Sequence, residues 1–254
     1  SLPAVRLLAA DDARVARLAS RTPARSLTAG RDATADVQIL AAELDERSGH
    51  TTVTLKAHGD QVVVDLPLFG MQFATAAALA VAVADLVGIS PSDAAARLAS
   101  VQLPAGRATV RQVAGIRVID DAYNAAPASM AAALETLAAC RPHRFAALGA
   151  MGELGPYAAN AHLEIGTRAA ASGLELLVVL GVEADGIAEG ARAGGMPTER
   201  IMRLSSDASG IAAAVGLLGD MAKAGDTILI KGSRSVELER LVAGLDARWG
   251  GSAS

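Results

Sequence analysis

Arg117-Val118-Ile119-Asp120-Asp121-Ala122-Tyr123-Asn124-Ala125-Ala126-Pro127-Ala128-Ser129-Met130 is the stretch on which the fold turns. Val118 and Ile119 are β-branched and apolar, as a buried parallel strand requires. Two carboxylates stand where that strand stops. Pro127 suits a first helical turn, and Ala131 to Ala139 is strong helix former almost throughout. Such acids have two readings. Either they cap the helix, or they line a crevice beyond the carboxyl ends of the strands of an open α/β sheet.

Downstream, strand and helix patterns alternate. Phe145 to Leu148, Leu176 to Leu180, Ile201 to Leu204 and Thr227 to Ile230 read as strands. Ala158 to Ala171, Ala184 to Ala193, Ala208 to Ala222 and Val236 to Ala247 read as helices. Strands alternating with helices of this length predict βαβ units and a mostly parallel sheet with right-handed crossovers. No G-x-G-x-x-G follows a strand, so a dinucleotide fingerprint is absent. Lys231-Gly232-Ser233-Arg234-Ser235 leaves the last strand and opens the final helix. Backbone N–H groups, a hydroxyl and two cations on one spot attract a carboxylate or a phosphate.

Upstream, Val5 to Leu8 reads as a short strand, and Asp12 as the cap of a helix over Ala13 to Ser20. From Ala35 to Leu68 the period falls to two, which predicts an antiparallel β-meander. His50 and His58 lie near its turns with no partner at metal spacing, and read as solvated. An Ala-rich helix follows from Met71 to Val87; Gly88 closes it, Ser90 caps the next and Pro91 opens it. Pro104-Ala105-Gly106-Arg107 reads as a hinge before a strand from Ala108 to Val113.

Composition narrows the class. The chain has 254 residues, 52% hydrophobic but 2% aromatic, so its core must be Ala, Val, Leu and Ile. The richest apolar run, Ala74 to Val87, is broken by Thr75 and Asp85 and is too short to span a membrane. No signal peptide is visible at Ser1. The single cysteine, Cys140, excludes an internal disulfide framework and fits a reducing cytoplasm; near a helix end it reads as buried filling rather than a nucleophile. A net charge of −4 without a basic block argues against nucleic acid as a partner.

Asp120-Asp121-Ala122-Tyr123-Asn124-Ala125, with Pro127, Ser129 and Met130, closely resembles the opening of the last domain of the Mur ligases. Further pieces follow in that family's order: Asp11-Asp12, Gly70 with its Ala-rich tail, Gly106-Arg107, Leu148 to Gly155 with His162, and Lys231-Gly232-Ser233-Arg234. The resemblance covers nearly all residues of the chain but not the whole family protein. A uridine-nucleotide domain and a phosphate loop ending in Lys-Thr or Lys-Ser would come before Ser1. It implies an α/β chain with the rear of a central ATP-binding domain over 1–106 and a Rossmann-like last domain over 107–254.

The activity implied is that of an ATP-dependent amide ligase of peptidoglycan synthesis, cytoplasmic, in the branch that adds D-alanyl-D-alanine to a UDP-N-acetylmuramoyl tripeptide. ATP phosphorylates the peptide's terminal carboxylate, and the incoming amine attacks the acyl phosphate. ATP and Mg2+ are the cofactors implied. The resemblance gives Arg107, Asp121, Tyr123 and Asn124 to ATP, and Glu153, His162, Lys231, Ser233 and Arg234 to the substrate. It gives this chain no catalytic residue and no metal ligand. Read without it, His162 is a helix-face residue hydrogen-bonded to a neighbour.

The chain also departs from the family pattern. Ala9, Gln72, Phe73, Ala76, Ala126 and Ala150 stand where the family has Asn, His, Asn, Asn, Asn and an acid. A non-catalytic or degenerate homologue is therefore the alternative. Folylpolyglutamate and cyanophycin synthetases fit less well, since they carry His where Tyr123 stands. Lacking the phosphate loop, the chain alone is expected neither to bind ATP tightly nor to ligate.

Overall fold

Alternating apolar residues build the first sheet. In a computed structural model, which describes residues 5–12, 15, 17, 24–104, 106–141 and 143–250, the chain forms two compact units, residues 1–102 and 103–254. Apart from residues 15 and 17, the predicted helix after Asp12 lies outside the described residues. The first unit holds β1 (Val5–Ala9), β2 (Arg25–Gly30), β3 (Val37–Asp45), β4 (His50–Ala57) and β5 (Asp60–Leu66), in that spatial order. β1, β2 and β3 run parallel, and β3, β4 and β5 form the predicted antiparallel meander. Val53, Leu55, Val62, Val64 and Leu66 point to a core shared with Ala74, Ala77, Ala78, Val81 and Ala82 of helix α1 (Phe73–Leu86). Ser90 caps α2 (Pro91–Leu98) by accepting from the Asp93 N–H, with Pro91 in the first turn.

One strand of this unit differs from the sequence pattern. β2 has no strand signal, because only Leu27, Ala29 and Gly30 of its six residues are buried and the run ends in Gly. Its place between β1 and β3 comes from pairing, which local composition does not encode. His50 and His58, read as solvated, each sit beside a carboxylate: His50 Nδ1 is 3.1 Å from Asp65 and His58 Nε2 is 2.9 Å from Asp85.

The second unit is a six-stranded sheet, with β6 (Thr109–Val113), β7 (Ile116–Asp121), β8 (Arg144–Gly149), β9 (Leu174–Leu180), β10 (Ile201–Leu204) and β11 (Thr227–Lys231). Its spatial order is β10-β9-β8-β11-β7-β6, parallel throughout except for β6. The helices are α3 (Pro127–Ala139), α4 (Ala158–Ala171), α5 (Asp185–Ala193), α6 (Ala208–Met221) and α7 (Glu239–Gly250). The final helix begins three residues later than the pattern suggests. A 3₁₀ turn over Arg234–Val236 and the left-handed Glu237 (φ 53°) intervene.

Small residues set the helix spacing. A Cβ on Gly166 would lie 2.0 Å from the Ile187 carbonyl, and one on Gly190 would lie 2.0 Å from the Leu163 carbonyl. α4 and α5 therefore approach backbone to backbone, which an aromatic-poor core needs in order to stay dense.

Candidate functional site at the carboxyl rim of the second sheet

The path of the chain through the second sheet creates a crevice. From β7 the chain crosses to β8, then β9, then β10, always moving the same way, and α3, α4 and α5 pack in sequence along that route. From β10 it returns to lay β11 between β8 and β7, and α6 and α7 pack on one another. Right-handed crossovers put these two sets of helices on opposite faces. The loops after β7 and β8 thus leave toward one face, and the loop after β11 toward the other. That reversal is the switch point at which open α/β sheets bind ligands.

Register then brings the two motifs together. Ile230 pairs with Asp120 and Lys231 with Asp121 on adjacent strands. The Lys231 side chain is 2% exposed and the Asp121 side chain 15%; Nζ lies 2.6 Å from Asp121 Oδ2 and donates to the Asn124 carbonyl at 2.8 Å. Asp121 Oδ1 accepts from the Ala108 N–H at 3.0 Å. Ala108 follows Arg107 and is itself left-handed (φ 51°). The second acid thus ties the residues after the hinge to the last strand. An ionised carboxylate has about four acceptor sites, so two occupied ones leave capacity for a ligand hydroxyl.

The first acid behaves differently. Asp120 is buried, accepts from the Ala122 N–H at 3.3 Å and has Arg111 at 3.8 Å. Burial pushes its carboxyl up from the ordinary value, with the Ala122 N–H and Arg111 working against that. It is internal to the sheet, whereas its neighbour reaches the rim.

Tyr123 and Asn124 are exposed on the loop that leads to α3. The Arg107 guanidinium lies 4.5 Å from the Tyr123 ring centroid, and the Tyr123 N–H donates to the Gly106 carbonyl. Arg107, Asp121, Tyr123 and Asn124, the residues given to ATP, therefore form one local cluster. At the start of α3, Pro127 takes the first turn and the Ser129 hydroxyl accepts from the Ala126 N–H at 3.1 Å. Ala126 supplies no capping side chain.

The residues given to the substrate divide. Ser233 is buried, its N–H donates to the Ala150 carbonyl and its hydroxyl is 2.8 Å from that of Ser235. Two glycines permit that approach: a Cβ on Gly232 would meet Leu238 at 2.9 Å and the Gly149 Cα at 3.2 Å. Arg234 is exposed and pairs with Glu239. Glu153 is exposed on the loop after β8, in a left-handed conformation (φ 61°).

His162 is buried, and its Nε2 accepts from the Met151 N–H at 2.9 Å. The Lys231 ammonium and the His162 ring, expected at a substrate, are both engaged inside the protein. The sequence could not reveal these contacts, since two of the partners, the Asn124 carbonyl and the Met151 N–H, belong to the backbone. Among the described residues no three His, Cys, Asp or Glu side chains gather as a metal site. Among the described residues the Mg2+ implied by the resemblance has no such cluster.

Residues 106–234 match the family described as Mur ligase, glutamate ligase domain, and the chain belongs to the Mur ligase family. The UDP-N-acetylmuramoyl-tripeptide–D-alanyl-D-alanine ligase of Mycobacterium tuberculosis (strain ATCC 25618 / H37Rv) is 36% identical over 250 residues, covering 91% of this chain and 49% of the relative. The ligase of the same name from Escherichia coli K12 is 30% identical over 215 residues, covering 83% and 45%. The MurF ligase of Thermotoga maritima, solved in complex with ADP, matches with a TM-score of 0.82 at 26% identity, over 99% of this chain and 55% of that one. Within the family the chain is MurF-like and covers the middle and C-terminal domains. It spans about half the length of the relatives it matches.

Proposed function

We propose that this chain is the rear of the central domain and the whole last domain of an ATP-dependent amide ligase that joins D-alanyl-D-alanine to a UDP-N-acetylmuramoyl tripeptide. The observation that carries this reading is the meeting of Asp121 and Lys231 at the switch point, two motif residues 110 positions apart that adjacent parallel strands hold in register. The likeness to a ligase solved with ADP supports nucleotide binding by Arg107, Asp121, Tyr123 and Asn124. Asp121 accepts from the ribose, and Arg107, always charged, faces phosphate. Backbone N–H groups of the loops after β8 and β11, with Arg234, receive the anionic peptide. These groups act by positioning and electrostatics, while the acyl phosphate is made and kept from water.

The 254 residues contain no G-x-x-G-K-T/S segment, so the isolated polypeptide neither binds ATP tightly nor turns it over. The test joins this chain to the front half of the Mycobacterium tuberculosis relative and measures phosphate release. Release that requires both ATP and D-alanyl-D-alanine is expected; release by the 254-residue chain alone overturns the fragment reading. A second reading, a degenerate homologue, is favoured by Ala9, Ala76, Ala126 and Ala150. Ala76 is exposed on α1 and Ala150 offers the rim only its backbone carbonyl. A folded chimera silent at saturating ATP selects that reading, and restoring Asn at position 76 then separates lost adenine contacts from lost chemistry.

A further inference from the structure

The loop after β8, Ala150 to Gly155, has an unusual backbone. Met151 is buried, Glu153 is left-handed without being glycine, and Gly155 also has positive φ. A non-glycine residue at positive φ persists only where its surroundings hold it. Two hydrogen bonds do so at the buried end: Ser233 N–H to the Ala150 carbonyl, and Met151 N–H to His162 Nε2. The first comes from the loop after β11, the second from α4 beneath.

His162 suits this task for a reason specific to imidazole. In the neutral ring one nitrogen donates and the other accepts. Nε2 accepts from the Met151 N–H, so the neutral ring carries its proton on Nδ1. The bond at Nε2 is made only while the ring is uncharged. We propose that His162 is a positioning residue: its neutral imidazole fixes the Ala150 to Gly155 loop beside Ser233, and so sets the rim that closes on the substrate. This rests on the ligase reading for the words "on the substrate"; the positioning itself does not.

The surroundings favour the neutral ring. Burial holds the imidazole below its ordinary value, with the Ala158 bond opposing. Among the described residues His162 forms no ion pair, and the acids near it on its own element and the next are exposed or paired elsewhere. Glu153 of the loop is exposed; Glu164 on α4 pairs with Arg168, and Asp185 and Glu189 on α5 pair with Arg203. Protonation would turn the Nε2 acceptor into a donor facing a donor. In sign, a base whose folded value is lowered destabilises the fold as pH falls from about 6.5 through the folded value, and contributes nothing above it.

The first arm of the test uses the chain itself and needs no activity. Nitrogen and proton NMR of the 254-residue protein should show His162 Nε2 unprotonated at neutral pH and titrating below the ordinary histidine value. The Met151 amide should lose its protection from exchange in step with that titration. A ring titrating like a free histidine, or Met151 protection indifferent to it, overturns the inference. The second arm uses the chimeric ligase. His162→Gln places a non-titrating acceptor near the Nε2 position and should keep kcat while moving the acid limb of its pH profile downward. His162→Leu should lower kcat about tenfold or more at every pH, with KM for ATP unchanged. An acid limb unmoved in His162→Gln overturns the inference even if His162→Leu fails to fold. An inactive chimera whose chain titrates as expected sinks the ligase reading and leaves the positioning role standing.

Discussion

The two sheets make opposite use of polarity. Among the described residues the first unit buries one polar side chain, Thr51, whereas the second buries nine. Four of the nine, Asp120, His162, Lys231 and Ser233, lie at or just beneath the carboxyl rim. Leaving a buried donor or acceptor unmade costs about 1–3 kcal/mol, so such a concentration survives only if every group is paired. These four are: Lys231 with a carboxylate and a backbone carbonyl, Asp120 and His162 with backbone N–H groups, and Ser233 with the Ser235 hydroxyl. The first unit has no such concentration and packs mainly on Val, Leu, Ile and Ala. The contrast teaches where to look for chemistry in an Ala-rich chain. It lies where the fold tolerates buried polarity, not where the letters merely look polar.

Perturbing each kind of core sharpens that contrast. The largest effect is expected at Lys231→Met, which strips the partner from Asp121 and from the Asn124 carbonyl. Breaking such a buried pair costs about 3–5 kcal/mol. Urea unfolding followed by Trp249, which lies on α7 in the second unit, measures it. Adding Asp121→Asn should return part of the loss. A cost under about 1 kcal/mol would mean that the rim is not a paired buried network.

Gly190→Ala ranks next, because its Cβ would strike the Leu163 carbonyl between α4 and α5. Overpacking of about 1–3 kcal/mol is expected in the same Trp249 assay. Thr51→Val is the smallest and tests the other unit. The Thr51 hydroxyl donates to the Leu68 carbonyl and accepts from the Gly70 N–H. Losing both should cost about 1–2 kcal/mol and speed amide exchange at Gly70, leaving the Trp249 transition unchanged.

Much of this was legible from residue order alone. α4 and β10 begin and end where the pattern puts them, the first rich in Ala and the second apolar at three of its four residues. The meander was legible from its period of two. β2 was not, since Arg25-Ser26-Leu27-Thr28-Ala29-Gly30 takes its identity from the strands on either side. At the site, the acids and the Lys-Gly-Ser-Arg turn announce themselves as strand endings. Their direct pairing depends on β11 lying between β7 and β8, which is spatial order and not local pattern. His162 shows the same limit, for its partner is a backbone N–H and carries no letter of its own.

That placement of β11 also governs how the protein comes into being. β7 and β8 touch no strand in common until β11 arrives, and β11 pairs with β7 across 110 residues. A growing chain emerging from the ribosome can form β8, β9 and β10 side by side, yet it leaves two open strand edges at the sheet's centre until residue 231 is free. Long-range closure of this kind is slow, and bare edges invite pairing with other chains. The crevice is therefore completed only when β11 arrives, and a chain halted before Thr227 leaves two bare strand edges at the centre of the sheet.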